Sequence, residues 1–171
     1  MKINEILNSI FFPRKTDYNS DEKDYLVQVD SNVNVGIRMF MVNNNSPTIL
    51  FFHANAEITH EYNDIAEMYN KYNINFIVSG YRGYGLSNGK PSKDTSLEDS
   101  LKIFDFVLGH LKSLNNKNHL IVMGRSLGST SASHVMSNRE KEVDGAIIDS
   151  GFATEYPFLL RFGLNPEDIN F

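Results

Sequence analysis

The chain has 171 residues, 41% of them hydrophobic, which is enough for one globular domain with a sizeable core. Its net charge of −5 and the lack of a basic run make nucleic acid an unexpected partner. The absence of cysteine excludes disulfides, thiol catalysis and cysteine-based zinc sites, and it fits a reducing compartment, so we expect a cytoplasmic protein.

The N-terminal segment carries apolar side chains at helical spacing, namely Ile3, Ile6, Leu7 and Ile10. This spacing predicts a short amphipathic helix that packs on the domain, with a membrane surface as the alternative. The segment lacks the apolar core and cleavage site of a signal peptide. No part of the chain has the ~20 apolar residues of a membrane span, so we expect no transmembrane segment.

Strand and helix patterns alternate along the chain. Antiparallel strands joined by a tight turn are predicted at Asp24–Asp30 and Val33–Val42, and further strands at Thr48–Phe52, Ile74–Val78, from Leu120, and Gly145–Asp149. Helices are predicted at His60–Tyr72, at Leu97–Leu114 with Thr95 or Ser96 as N-cap, and from Leu127 to about Ser137. This alternation predicts a single α/β domain with a mostly parallel sheet over residues 1–171, with an irregular or partly helical stretch after residue 150.

The apolar run from Leu120 leads directly into Gly124-Arg125-Ser126-Leu127-Gly128, and a helix-compatible segment follows. Gly-x-Ser-x-Gly between a strand and a helix is the layout of a nucleophile elbow, whose serine is exposed on a sharp turn. Small residues are needed at 124 and 128 because this turn brings chain segments close together. The sequence therefore predicts Ser126 as a catalytic nucleophile, near helix N–H groups that face a forming oxyanion. The alternative is an ordinary βα turn with a surface serine.

Two further motifs precede this turn. They read Phe52-His53-Ala54-Asn55-Ala56-Glu57 and Tyr81-Arg82-Gly83-Tyr84-Gly85-Leu86-Ser87. Together and in this order, the three motifs resemble the α/β-hydrolase superfamily, most closely its serine esterase, thioesterase and peptidase-like branch. The resemblance covers roughly residues 25 to 155 and implies the α/β-hydrolase fold.

The resemblance also implies the roles of individual residues. An oxyanion hole would be formed by the backbone N–H groups of Asn55 and Leu127, and the side chain of Asn55 would be incidental to that role. His53 would organise its loop rather than act as the base, and the stretch from Tyr81 to Ser87 would shape the loop beside the site. No cofactor is expected, and no metal either, since no cluster of possible ligands has the required spacing.

Three positions depart from the family pattern. Ala54 and Gly80 stand where glycine and aspartate are usual, and Ser129 stands where a second glycine is common. Ala54 puts the usual backbone of its loop in question, because glycine adopts conformations that alanine disfavours.

The acid and the histidine of a catalytic triad follow the nucleophile in this fold. Asp149, at the end of the next strand, is a candidate acid, although a strand-end aspartate that bonds to nearby N–H groups is the alternative. Only His134 follows Ser126, and we expect it to point away from the serine on the helix. The sequence therefore describes the front part of a hydrolase domain, which we expect to be truncated after Gly145–Asp149.

The remaining histidines are not expected to supply the base either. His110 and His119 flank the strand at Leu120 on its upstream side, which belongs to the opposite end of the sheet, and His60 opens a helix.

Two functions stay open. The first is a serine hydrolase that acts on an ester, thioester or amide of a small-molecule or peptide-like substrate, represented by a chain without its base. The second is a non-catalytic, degenerate hydrolase fold kept for binding or assembly. With the second function, self-association is also an expectation, because a truncated sheet exposes a strand edge and apolar faces.

Overall fold

The computed structural model describes residues 9–154 and 160, so the expected N-terminal helix and most of the C-terminal stretch lie outside the described residues. The elements in chain order are β1 (Asp24–Asp30), β2 (Val33–Phe40), β3 (Thr48–Phe52), a 3-10 helix (Thr59–Tyr62), α1 (Asn63–Lys71), β4 (Asn75–Ser79), α2 (Lys93–Ser113), β5 (Leu120–Arg125), α3 (Gly128–Asn138) and β6 (Gly145–Asp149). The predicted α/β class with flanking helices is confirmed.

The six strands form one sheet in the order β1-β2-β4-β3-β5-β6. β1 pairs with β2, and β2 with β4, in antiparallel fashion, whereas the other neighbours are parallel. Phe52 at the end of β3 pairs with Gly124, and Arg125 at the end of β5 pairs with Asp149. The loops that leave β3, β5 and β6 therefore emerge at the same edge of the sheet, which is where ligands bind in open α/β sheets.

Both faces of the central strands are covered, which explains why these strands are continuous apolar runs. One face packs on α2 and α3 through buried side chains that include Leu50, Phe52, Ile103, Phe104, Val122 and Val135. The other face packs on the 3-10 helix and α1 through Phe51, Phe76, Val78, Tyr62 and Ala66. The alternation of successive side chains between the two faces thus places Phe51 and Phe52 in different clusters.

Two predicted helix boundaries were wrong. The chain between Thr59 and Tyr62 forms a 3-10 helix, and α1 follows it. α2 begins four residues before the predicted Leu97, and its N-cap is Ser92 rather than Thr95 or Ser96. Ser92 Oγ accepts the N–H of Thr95 at 3.1 Å, and the N–H of Ser92 donates to Thr95 Oγ1 at 2.9 Å, which is a capping box. The first turn lacks apolar side chains, so hydrophobic periodicity could not locate it.

β6 is the outer strand of the sheet on the side of β5. Ile147 and Ile148 point to opposite faces and are 41% and 47% exposed. Among residues 9–154, no helix has the length and apolarity needed to cross a bilayer.

Candidate active site

Ser126 lies in the turn between β5 and α3 and has a φ of +51°, in the left-handed region. Its N–H donates to the carbonyl oxygen of Asp149 at 3.0 Å, and its own carbonyl accepts the N–H of Ser129 at 3.0 Å. A left-handed conformation costs a side-chain-bearing residue about 1–2 kcal/mol. The predicted sharp strand-to-helix turn is therefore present, and the surrounding hydrogen bonds hold it in place.

The two glycines of this turn are required by close contacts. A β-carbon on Gly124 would lie 2.2 Å from the carbonyl oxygen of Gly128, and one on Gly128 would lie 2.0 Å from that of Phe52. Both distances are far inside van der Waals contact with backbone atoms, which cannot move aside as a flexible side chain would. The expected need for small residues at 124 and 128 is confirmed.

His53 directly follows β3, and its side chain is fully buried. Its Nδ1 lies 2.7 Å from the carbonyl oxygen of Ala54. Because a carbonyl only accepts, Nδ1 carries the proton. Nε2 is also buried and has no hydrogen-bond partner among the described residues. Burial lowers the pKa of His53 to about 4. The ring is therefore neutral at physiological pH and holds its own loop, in keeping with the expected structural role.

Ala54 fits this loop without strain. The left-handed residue of the loop is Ala56, with a φ of +60°, and Ala54 is not among the residues with positive φ. The N–H of Ala54 donates to Glu57 Oε2 at 2.8 Å. The conformational freedom of glycine is therefore not used at position 54.

The side chain of Asn55 connects three parts of the molecule. Its Oδ1 accepts the N–H of Phe12 at 3.0 Å and the hydroxyl of Tyr84 at 2.7 Å, besides the N–H of Ala56 at 2.9 Å. Its Nδ2 donates to the carbonyl of Ile10. Sequence reasoning gave this side chain no role, and three of its four partners are 29 to 45 positions away.

The stretch from Tyr81 to Ser87 supports the same loop. The hydroxyl of Tyr81 donates to the carbonyl of His53 at 2.7 Å, and the two rings meet edge to face at 4.9 Å. Burial raises the pKa of Tyr84, the other tyrosine of the stretch, to about 12, so both phenols stay protonated donors. Arg82 fixes the stretch to α2 through two hydrogen bonds of 2.7 and 2.8 Å to Asp99.

The absence of the usual aspartate at position 80 has a local explanation. A β-carbon on Gly80 would approach the carbonyl oxygen of Gly36 to 2.9 Å, and the N–H of Gly80 donates to that same oxygen at 3.0 Å. In this chain, β2 lies too close to position 80 for a larger residue.

Asp149 lies at the carboxyl end of β6, on the same edge as Ser126, as predicted. Its carboxylate accepts the hydroxyl of Ser150 at 2.8 Å, and its backbone carbonyl accepts the N–H of Ser126. No histidine contacts this carboxylate in the described part of the chain.

The other four histidines are engaged elsewhere. Nε2 of His60 lies 3.2 Å from Asp24 Oδ2, and its ring stacks on Tyr18. The remaining three lie on α2, before β5 and on α3; they are His110 beside Tyr25, His119 beside Asp144, and His134 beside Asn138. Within residues 9–154, no histidine nitrogen is hydrogen-bonded to Ser126.

A charged pair beside Ser126 was missed by the sequence analysis. Arg125 Nη2 donates to Glu57 Oε1, across the gap between the loops that leave β5 and β3. The sequence contained one signal for this pair. The two residues have opposite charges and lie in motifs that follow two strands, which end at the same edge of the sheet.

A cleft of about 300 Å³ opens beside Leu127, between α2 and α3. Its lining is mainly apolar and includes Phe11, Leu97, Leu127, Phe152 and Ala153, with Thr130 and His134 among the polar members. Among the described residues, no three histidine, aspartate or glutamate side chains are grouped so as to hold a metal ion.

Comparison with known proteins agrees with this geometry. The family described as serine aminopeptidase, S33, matches residues 43–158, which include both loops and the turn at Ser126. The chain belongs to this α/β-hydrolase family.

Curated proteins match more than half of this chain. Protein bem46 of Schizosaccharomyces pombe is 29% identical over 109 residues, which is 63% of this chain and 36% of that protein. Lysophosphatidylserine lipase ABHD12 of Rattus norvegicus is 30% identical over 134 residues, which is 71% of this chain and 32% of that protein. The chain thus spans about a third of the length of the curated relatives it matches.

Solved structures show the same fold. Est1E from Butyrivibrio proteoclasticus, with ferulic acid bound, aligns with a TM-score of 0.68 at 19% identity and covers 85% of this chain and 62% of that one. A soluble variant of monoglyceride lipase from Saccharomyces cerevisiae aligns with a TM-score of 0.68 at 16% identity over 90% of this chain and 51% of that one.

Proposed function

We propose that Ser126 is the nucleophile of a serine hydrolase that cleaves an ester, thioester or amide by acyl transfer. The observation that carries the proposal is the left-handed Ser126 between β5 and α3. Strained residues that bear a side chain cluster at functional sites, and this one lies at the carboxyl ends of the parallel strands. Membership of a hydrolase family supports the same reaction class.

In this reaction the Oγ of Ser126 bonds to the substrate carbonyl carbon, the alcohol, thiol or amine leaves, and water then releases the acid. The N–H groups of Asn55 and Leu127 would stabilise the oxyanion. Within residues 9–154, neither N–H donates to another protein group, which supports this role. In serine hydrolases, the loss of one such donor lowers kcat about 10²- to 10³-fold.

The proton of Ser126 needs an acceptor, since a serine hydroxyl is a weak nucleophile at neutral pH. Four of the histidines have other partners, and none of their nitrogens contacts Ser126 within residues 9–154. His53 is buried, with its proton on the nitrogen that faces Ala54, and its Nε2 is not hydrogen-bonded to Ser126. The proposal therefore assigns the acceptor to a group other than these histidines, and it keeps Asp149 as the candidate acid because of its strand-end position.

The cleft beside Leu127, whose lining includes Leu127 but neither Ser126 nor Asn55, is our proposed site for the apolar group of a small-molecule ester. Its volume of about 300 Å³ and its apolar lining fit such a group. Relatives named as a lysophosphatidylserine lipase and a monoglyceride lipase point to the same substrate class.

A fluorophosphonate probe tests the proposal. The Ser126 oxygen bonds to phosphorus, fluoride leaves, and the proton passes to solvent. We expect mass spectrometry to find the adduct on Ser126 in the wild type, and no adduct in Ser126→Ala. Ser113→Ala, at the end of α2 and outside the lining of this cleft, is the control and should label normally. A wild-type protein that stays unlabelled at Ser126 would overturn the proposal.

A second candidate, a non-catalytic binding or assembly module, is favoured by the lack of a histidine bonded to Ser126. It predicts ester turnover no higher than that of Ser126→Ala.

We also propose that the protein self-associates through β6, because Ile147 and Ile148 are exposed there, and light scattering tests this. We propose a cytoplasmic location because the chain has no cysteine, and cell fractionation tests it.

A further inference from the structure

Glu57 receives hydrogen bonds from three elements that are separate in the chain. Its Oε2 accepts the N–H of Ala54 at 2.8 Å and also the hydroxyl of Tyr62, at the end of the 3-10 helix. Its Oε1 accepts Nη2 of Arg125, the residue that precedes Ser126. A single carboxylate thus joins the loop after β3, the 3-10 helix and the end of β5.

The contact with Ala54 bears on the direction of the Asn55 N–H. Glu57 accepts the N–H of Ala54, and His53 Nδ1 donates to the carbonyl oxygen of Ala54 at 2.7 Å. The peptide groups on both sides of Ala54 are therefore fixed. In a planar trans peptide the N–H points opposite to the carbonyl, so fixing the Ala54 carbonyl also fixes the N–H of Asn55.

The contact with Arg125 bears on the other side of the site. Arg125 lies between the strand and Ser126, and its guanidinium also lies 6.0 Å from the centre of the Tyr62 ring. The pair with Glu57 therefore sets how far the turn that carries Ser126 and Leu127 lies from the loop that carries Asn55.

We propose that Glu57 is a positioning residue, which holds the N–H groups of Asn55 and Leu127 at a fixed separation for the oxyanion. This inference rests on the proposed function. A purely structural role is the competing explanation. The side chains of Glu57 and Arg125 are 23% and 36% exposed, and pairs that exposed contribute little to folding stability. The effect of losing the Glu57–Arg125 pair alone, as in Glu57→Gln, should therefore appear in the reactivity of Ser126 rather than in unfolding.

Two substitutions separate the contacts. Glu57→Gln keeps an oxygen that can accept the Ala54 N–H or the Tyr62 hydroxyl but removes the charge that pairs with Arg125, whereas Glu57→Ala removes all three contacts. Asp105→Asn is the matched control, because it breaks a carboxylate–guanidinium pair with Arg139 at 2.7 Å on the helices, away from the turn.

The first measurement is the rate of fluorophosphonate labelling, resolved into the binding constant KI and the maximal rate kinact. We expect Glu57→Ala to lower kinact at least tenfold with KI nearly unchanged, Glu57→Gln to fall between it and the wild type, and Asp105→Asn to match the wild type. A kinact of Glu57→Ala equal to that of the wild type overturns the inference, as does a loss in kinact that is matched by equal loss of folded protein.

The second measurement does not depend on activity. Amide hydrogen exchange should accelerate at least tenfold at Ala54 and Ala56, whose N–H groups are hydrogen-bonded, in Glu57→Ala, while the exchange of core amides in β3 and β5 stays unchanged. Unchanged exchange at Ala54 and Ala56 overturns the inference. Failure of the wild type to label at Ser126 would instead count against the proposed function, and the exchange result would still decide whether Glu57 positions the loop.

Discussion

The α-carbon of Gly128 lies directly against the carbonyl group of Phe52, so close that a β-carbon on Gly128 would sit 2.0 Å from the carbonyl oxygen. The first residue of α3 thus packs on the last residue of β3, with no side chain between the two backbones. This contact allows α3 to approach the end of β3 more closely than any residue with a side chain would permit.

We expect Gly128→Ala and Gly124→Ala to destabilise the fold by about 3 kcal/mol or more, since each overlap involves backbone atoms that must shift. Urea unfolding measures the effect. Gly109→Ala on α2 is the control: its β-carbon meets no atom within 4 Å, so it should stabilise the helix by up to about 1 kcal/mol. A Gly128→Ala protein that unfolds at the wild-type urea concentration would contradict the contact.

Ser126 should be under backbone strain that glycine relieves. Since its φ is +51°, we expect Ser126→Gly to be more stable than Ser126→Ala by about 1 kcal/mol, although neither variant has a hydroxyl. Thermal or urea unfolding of the two variants side by side provides the measurement. Equal midpoints would mean that the turn carries no strain.

Sequence patterns predicted the strands of this sheet and the turn at Ser126 well, because buried strands are apolar runs and close backbone contact demands glycine. They placed the start of α2 wrongly, since its first turn is polar and gives no periodic signal. The long-range contacts of Asn55 and Glu57 were not predicted. They join positions 29 to 68 residues apart, and only the folded chain brings these positions together.

The buried ring of His53 predicts a pH dependence of stability. Its pKa is lowered from 6.5 to about 4, so between these values the unfolded chain binds a proton that the folded chain does not. Stability should therefore be complete above pH 6.5 and decrease as the pH falls to 4, by on the order of 3 kcal/mol. Urea unfolding across this range gives the slope.

His53→Asn provides the comparison for this slope. Its amide can still donate to the carbonyl of Ala54 but does not titrate, so the variant should be less pH-dependent than the wild type between pH 4 and 6.5. Identical slopes for the two proteins would show that His53 is not the group responsible.

Arg38 on β2 should matter more than an exposed arginine. Its side chain is 4% exposed and lies 2.9 Å from Asp24, which is 2% exposed, and it forms two bonds of 2.8 Å to Asp21. Arg38→Met leaves the Asp24 charge buried without its guanidinium, which we expect to cost about 3–5 kcal/mol. Arg139→Met, which breaks the more exposed pair with Asp105, should cost at most about 1 kcal/mol. Similar losses in calorimetry or urea unfolding would contradict this difference.

The hydrogen bonds from Asn55 to Ile10 and Phe12 have a practical consequence for handling the protein. Cleavage between Phe12 and Pro13, or a fusion partner that displaces this segment, would remove both hydrogen bonds from Asn55, in the loop that faces Ser126. The three recognised motifs would stay intact. Preparations that differ only at their N-termini should therefore differ in serine reactivity, and the integrity of that terminus belongs among the first things to verify by intact mass.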